Sequence, residues 1–236
     1  MDINNNQVEI LTEAIPYLRE FKDKTIVVKY GGNAMLNDEL KNKVLQDIVF
    51  LQSAGMRPVV VHGGGPEITR MLVQAGKKST FVSGLRVTDA ESVGIAEMAL
   101  VGKINTDLVA RLNTLGGQAV GLNGKDGVTD IYTHEGPAGV DGKDGEDGIT
   151  RIVYIDPKDP STLISELTVT EAKDLLETGY IQGGMLPKLT NCTEAIRGGV
   201  NRVHILDGRV PHSLLMEIFT KSGFGTMIFR DGDMIH

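Results

Sequence analysis

Thr25-Ile26-Val27-Val28-Lys29-Tyr30-Gly31-Gly32 and Pro58-Val59-Val60-Val61-His62-Gly63-Gly64-Gly65-Pro66 share one form, an apolar β-branched run that ends in glycines. Such runs read as strands buried on both faces of a parallel sheet. Glycines directly after them permit tight turns and let main-chain N–H groups approach an anion. Two such loops, the first with a lysine at its strand end, predict a phosphate and carboxylate site at the C-terminal edge of an α/β sheet. Gly183-Gly184-Met185-Leu186-Pro187-Lys188 adds a third glycine loop that opens a helix. Pro187 suits the first helical position, which places Lys188 in the first turn, where unpaired N–H groups and the helix dipole favour an anion.

Composition bounds what surrounds these motifs. A chain of 236 residues, 41% hydrophobic and 23% charged, can bury a proper core as one α/β domain or two lobes. A net charge of −7 without a basic stripe argues against a nucleic-acid binder. One cysteine, Cys192, permits no internal disulfide and reads as packing in a helix. No apolar run approaches the ~18 residues of a membrane span, and the polar start does not read as a signal peptide. A cytoplasmic protein without membrane association is expected.

Strand, helix, strand and helix follow in order over 25–30, 38–54, 58–62 and 66–75, which predicts a right-handed parallel unit. Val8, Leu11, Ile15 and Leu18 at helical spacing predict a helix over 7–20, kinked at Pro16, ahead of the first strand. Extended pieces are expected around 80–87, a long helix over 90–113 broken at Gly102, and a strand over 118–122. Thr168-Val169-Thr170-Glu171 is a capping box for a helix that runs to Gly179. A helix over 187–197, a strand over 202–206, a helix over 211–220 and a last strand over 226–229 complete the reading. Between them, Gly136, Gly139, Gly142, Gly145 and Gly148 recur at every third position, a collagen-like pattern too short for a stable triple helix. Its acidic, glycine-rich composition predicts a mobile surface loop.

VVKYGGNAM, VVVHGGGPEI, SGLRVTD, VGKINTDLVARLN, DPKDPSTLISELT, GGMLPK, CTEAIRGGVNRVHILDGRVPHSLL and GFGTMI, in this order, resemble the N-acetylglutamate kinases of the amino-acid kinase family. The likeness covers roughly residues 1–126 and 156–230, and the N-terminal helix resembles that of the arginine-sensitive, hexameric branch. It implies an α/β fold with a mostly parallel open sheet sandwiched by helices, reduced in the nucleotide-binding half. It also implies an interface helix over 1–20, an amino-acid-substrate lobe over 21–126, an atypical segment over 127–155 and a partial nucleotide and effector lobe over 156–236. The family's Asn-x-Asn-Ala-Asp and Thr-Asp-Val-x-Gly-Ile motifs are absent, and the glycine triplets stand in their place.

The resemblance implies ATP with Mg²⁺ as the phosphoryl donor and N-acetyl-L-glutamate as the acceptor, in the service of arginine biosynthesis. Lys29 and Lys188 would be the catalytic lysines, Gly31 and Gly32 the phosphate binders, and Gly64, Gly65 and Arg86 the substrate binders. No resident metal site is implied. By motif position His204, Glu217 and Gly223 match the arginine effector site. A homo-oligomer, hexamer or dimer, is expected. Each residue keeps a plainer alternative: Lys29 and Lys188 as solvated surface groups, Arg86 paired with Asp89, His62 as a packing residue, and Glu217 as a solvated helix residue. Two readings of the whole stay open at this point. One is an active kinase with a reduced central block. The other is a catalytically impaired or engineered homologue that keeps the oligomer interface and the arginine site.

Overall fold

The computed structural model describes residues 5–31, 35, 37–82, 85–123, 163–178, 181, 185–220 and 223–233. Gly32, the glycine triplets and Gly183-Gly184 therefore lie outside the described residues. The chain divides into two compact units: residues 1–64, 99–121 and 208–223 form one, and residues 65–98, 122–207 and 224–236 the other.

In the first unit, β1 (Thr25–Tyr30) and β2 (Arg57–His62) pair in parallel, with Lys29 opposite Val61 and Tyr30 opposite His62. The crossover between them is helix α2 (Asp38–Ser53). Its N-cap Asn37 accepts bonds from the Glu39 and Leu40 amides at 2.9 and 3.0 Å, which satisfies two of the four amides left open at any helix start. Tyr30, Leu45, Ile48, Leu108 and Leu112 form the core of this unit, with Val28 and Val60 packed against it. One face of the strand pair thus closes on helices. The other does not: Val27 is 63% exposed, Val59 47% and Val61 45%. The expectation of strands buried on both faces is corrected here. The β-branched run reports strand propensity, and propensity does not say how many faces are covered.

Helix α1 (Asn5–Phe21) runs through Pro16 and packs against α8 (Ser213–Phe219). Leu11 and Ile15 of its expected apolar stripe are exposed. The long helix expected over 90–113 is not interrupted at Gly102. It begins as α4 (Ala90–Glu97) in the second unit, widens into a π-helical stretch over Met98–Asn105, and continues in the first unit as α5 (Thr106–Thr114). The strand expected over 118–122 is absent. Two side-chain amides hold that stretch instead: Gln52 brackets the backbone of Gln118 at 2.9 and 3.2 Å, and Asn113 brackets that of Ala119 at 2.8 and 3.2 Å. A side chain that supplies both a donor and an acceptor replaces the missing neighbour strand.

The second unit begins with α3 (Gly65–Gln74) and the antiparallel pair β3 (Thr80–Val82) and β4 (Leu85–Val87). Further along it holds a three-stranded sheet ordered β5-β7-β6, from Glu166–Thr168, Thr226–Phe229 and Arg202–Ile205. β5 runs parallel to β7 and β6 antiparallel to it. The capping box forms as read: Thr168 and Glu171 bond reciprocally at the start of α6 (Val169–Glu177). Helix α7 spans Met185–Arg197, so Pro187 stands at its third position and not its first, still within the turn where a missing N–H costs nothing. Leu167, Leu189, Ile196 and Ile228 join these elements in one core.

Candidate functional site

The parallel register carries Lys29 and His62 to the same end of the first unit's strand pair. The Gly63 amide donates to the Tyr30 carbonyl at 3.0 Å, so the ladder continues one step past the strands and the two glycine loops leave side by side. A Cβ built on Gly31 would lie 3.5 Å from the Gly63 nitrogen. Gly64 is tighter. A Cβ there would meet Ile104 Cδ1 at 2.5 Å and Leu100 Cδ2 at 2.7 Å, so the loop lies on the π-helical stretch, and a side chain would displace both. Lys29 is exposed on the open face, and Nδ1 of His62 lies 3.2 Å from the Gly63 carbonyl oxygen. His62 therefore serves its own loop, as a packing and hydrogen-bonding residue would.

Charge fixes the helix that follows the first loop. Lys41 reaches Asp38 at 3.6 Å and Asp107 at 3.4 Å, and Arg111 reaches Asp38 at 3.1 Å and Asp107 at 2.9 Å. The network clamps the first turn of α2 to α5. Burial pushes the Asp107 carboxyl up, but Arg111 and Lys41 outweigh it and hold the group below the ordinary carboxylate range. Tyr30, buried against α2 and α5, has its phenol pushed up to about 12, chiefly by desolvation.

Arg86 belongs to the second unit. Its guanidinium donates through Nη1 to Ser79 Oγ, and through Nη2 to Thr69 Oγ1 at 2.9 Å and the Gly65 carbonyl at 3.2 Å. Its Cζ stands 4.6 Å over the Phe81 ring. Asp89, the alternative partner read from sequence, is occupied elsewhere: it caps α4 through the Ser92 amide and pairs with Lys77 at 2.9 Å. Lys188, half-buried, lies in the first turn of α7. Of the three residues expected at an effector site, Glu217 and Gly223 come together in the first unit, where Glu217 Oε2 is 3.7 Å from a Cβ built on Gly223. Gly223 has φ +59°, which favours glycine there. His204 sits on β6 of the second unit, opposite Met227.

Sequence reasoning missed Thr69, Ser79 and Asp47. Asp47 is buried in α2, and its Oδ1 lies 2.5 Å from Nδ1 of His212, at the start of α8. Nothing in the local sequence marks these three, because each acquires its role from a partner brought in by folding.

Comparison with known proteins gives this geometry a class. Residues 24–152 and 150–207 match the amino acid kinase family. The chain belongs to that family and is a phosphotransferase. Within it the chain stands with the acetylglutamate kinases. It is 43% identical to the acetylglutamate kinase of Pelotomaculum thermopropionicum over 93% of this chain and 96% of that one. It is 42% identical to that of Moorella thermoacetica over the same shares. Among solved structures, N-acetylglutamate synthase from Neisseria gonorrhoeae with coenzyme A and L-arginine superposes with a TM-score of 0.66 at 22% identity, over 95% of this chain. The same synthase with coenzyme A and N-acetyl-glutamate gives 0.61 at 23%, over 96% of this chain. The chain spans 65% and 64% of those two chains, just under two thirds, and at such identity they show the fold alone.

The gap read from the missing motifs has a counterpart here. The alignment with the Pelotomaculum enzyme runs over 284 positions, although this chain has only 236 residues, so it crosses stretches of the relative to which nothing corresponds. The family match likewise falls into two pieces that meet at residues 150–152.

Proposed function

We propose that this chain transfers the γ-phosphoryl group of ATP to the side-chain carboxylate of N-acetyl-L-glutamate, the acetylglutamate kinase step of arginine biosynthesis. A carboxylate oxygen attacks the γ-phosphorus, the bond to the β,γ-bridging oxygen breaks, and ADP leaves with that electron pair. A carboxylate is already a nucleophile at neutral pH, so no general base is needed. The obstacle is the approach of an anion to a polyanion, and the task is alignment and charge stabilisation. Lys29, exposed at the end of β1, serves the transferring phosphoryl group, with the Gly31 and Gly32 amides on the same phosphates. Lys188 neutralises the leaving side. Gly64 and Gly65 hold the amino-acid substrate, and Arg86 takes its α-carboxylate. Among the described residues no three His, Cys, Asp or Glu side chains gather to hold a metal ion. In this reading Mg²⁺ would arrive with ATP and would supply charge neutralisation there, with no residue of this chain assigned to it.

The observation that carries the reading is the juxtaposition of the two glycine loops beside Lys29, in a chain 43% identical to an acetylglutamate kinase. On the same basis arginine is an effector held by Glu217, Gly223 and His204, the protein is cytoplasmic, and α1 joins copies into a hexamer built from dimers. The exposed Leu11 and Ile15 support a partner for α1. Trapping the acyl phosphate as a hydroxamate tests the reaction: product that needs both ATP and acetylglutamate supports it, and none at high enzyme concentration ends it. A second reading has its own observation, the block of the relatives missing here. It makes the chain an impaired homologue, and its sign is arginine-dependent stabilisation without turnover.

A further inference from the structure

The cradle around Arg86 is more elaborate than a surface arginine needs. Two separate pieces of chain hold it: the first turns of α3, and the stretch 79–81, which gives the residue before β3 and a β3 aromatic ring. Thr69 is the pivot. Its hydroxyl donates to the Gly65 carbonyl at 3.0 Å and accepts from Arg86 Nη2 at 2.9 Å, while Nη2 also reaches that carbonyl at 3.2 Å. The hydroxyl both donates and accepts, and the three groups close a ring at the start of α3. Ser79 Oγ tethers Nη1, and Phe81 supports the guanidinium plane. Among the described residues the Nε–H has no partner, so one N–H beside the anchored Nη2 is left for an incoming anion.

We propose that Thr69, with Ser79 as second tether, is a positioning residue for carboxylate recognition: it fixes the plane of Arg86 before substrate arrives. The inference rests on the acetylglutamate kinase reading and on the α-carboxylate role of Arg86 within it. An arginine free in solvent must lose the freedom of its whole side chain to bond a carboxylate. One already held at both terminal nitrogens and stacked on a ring loses little. Thr69 never touches the substrate, so its removal acts on the binding of one substrate group and leaves the phosphoryl step alone.

Thr69→Val keeps the shape of the side chain and removes both hydrogen-bonding functions. It is expected to raise KM for acetylglutamate about tenfold, the worth of one bond to a charged group, with kcat and KM for ATP within about twofold. Thr69→Ser, which restores the hydroxyl, is expected to recover most of the loss, and Ser79→Ala to produce a smaller rise in the same direction. The decisive comparison uses 4-acetamidobutyrate, which keeps the reacting carboxylate and lacks the α-carboxylate. Wild type and Thr69→Val are expected to handle it equally. Equal KM values for acetylglutamate in both proteins overturn the inference. So does an equal defect of Thr69→Val on both acceptors together with a lowered melting temperature, which would make Thr69 a purely structural tie between α3 and the β3–β4 pair. The reading underneath is judged separately, on wild type alone: no acetylglutamate binding by calorimetry and no acyl phosphate removes that reading and the inference with it.

Discussion

The two faces of the β1–β2 pair are made from the same kind of residue and do opposite things. On one, Val28, Tyr30 and Val60 pack against α2 and α5, and Tyr30 is only 4% exposed. On the other, Val27, Lys29, Val59 and Val61 stand exposed, two registered pairs in a row. Alternation of side chains along a strand separates them completely. The first face makes the fold. The second presents the lysine on which the proposed chemistry depends, and it contributes little to stability.

The largest test of this division is Lys29→Ala. The ammonium is asked to stabilise charge that develops in the transition state, worth about 3–4 kcal/mol for one such donor. We expect kcat for acyl-phosphate formation to fall by about 10²–10³-fold with KM for acetylglutamate little changed and the melting temperature unmoved. A pure KM effect would make Lys29 a substrate-holding residue, and a lowered melting temperature would place it in the fold. Leu45→Ala is the opposite change, on a side chain with no exposed surface. Its expected cost is about 3 kcal/mol in chemical denaturation, from lost burial and the cavity left behind, with KM preserved below the transition.

Much of this contrast could be read in advance, and part could not. Val27-Val28 and Val59-Val60-Val61 announce strands, and the glycines behind them announce turns, because both signals are local. The Thr168 cap, and the helix it opens, follow from adjacent residues in the same way. Which strand face is covered depends on where helices pack, and a continuous β-branched run hides it. Residues 118–122 carry a strand pattern, yet Gln52 and Asn113 satisfy the backbone there from a distance, and Val120 is left 84% exposed. Asp47 and His212 are 165 residues apart and meet only in the folded unit. The candidate lysines and glycines were legible as motifs. The tethers of Arg86 were not, because a threonine in a helix has no distinctive neighbours.

Asp47 gives the next test, on the covered side. Its carboxylate lies between His212 and the Leu215 amide at the start of α8, whose N-cap His212 has φ 61° and no side-chain bond of its own to the helix. Oδ2 is buried and has no partner among the described residues. Burial raises the carboxyl above its ordinary value, against the opposing pull of His212. For an acid raised in the folded state, the folded chain holds the proton more tightly than the unfolded one. Stability from this group therefore increases as pH falls through the raised folded value, and the gain is complete below the ordinary carboxylate value. Other carboxylates titrate in the same window, so the quantity to measure is the difference in unfolding free energy between wild type and Asp47→Asn, as pH is lowered from neutral through the ordinary carboxylate value. It is expected to move in favour of wild type toward acid. A flat difference would show that the group does not titrate differently on folding.

The smallest effect belongs to the open face. Val59→Thr and Val61→Thr keep β-branching and nearly the same volume, and add a hydroxyl that water can reach at positions 47% and 45% exposed. Strand propensity is preserved and no buried polar group is created, so each change is expected to alter unfolding free energy by less than about 0.5 kcal/mol. The same substitution at Val60, on the covered face, puts a hydroxyl against Tyr30 and the helices and is expected to cost more than about 1 kcal/mol. Denaturant titration of the three variants side by side reads the two faces directly. Equal losses at 59, 60 and 61 would mean that something covers Val59 and Val61 in solution, and that the open face is open only in the isolated chain.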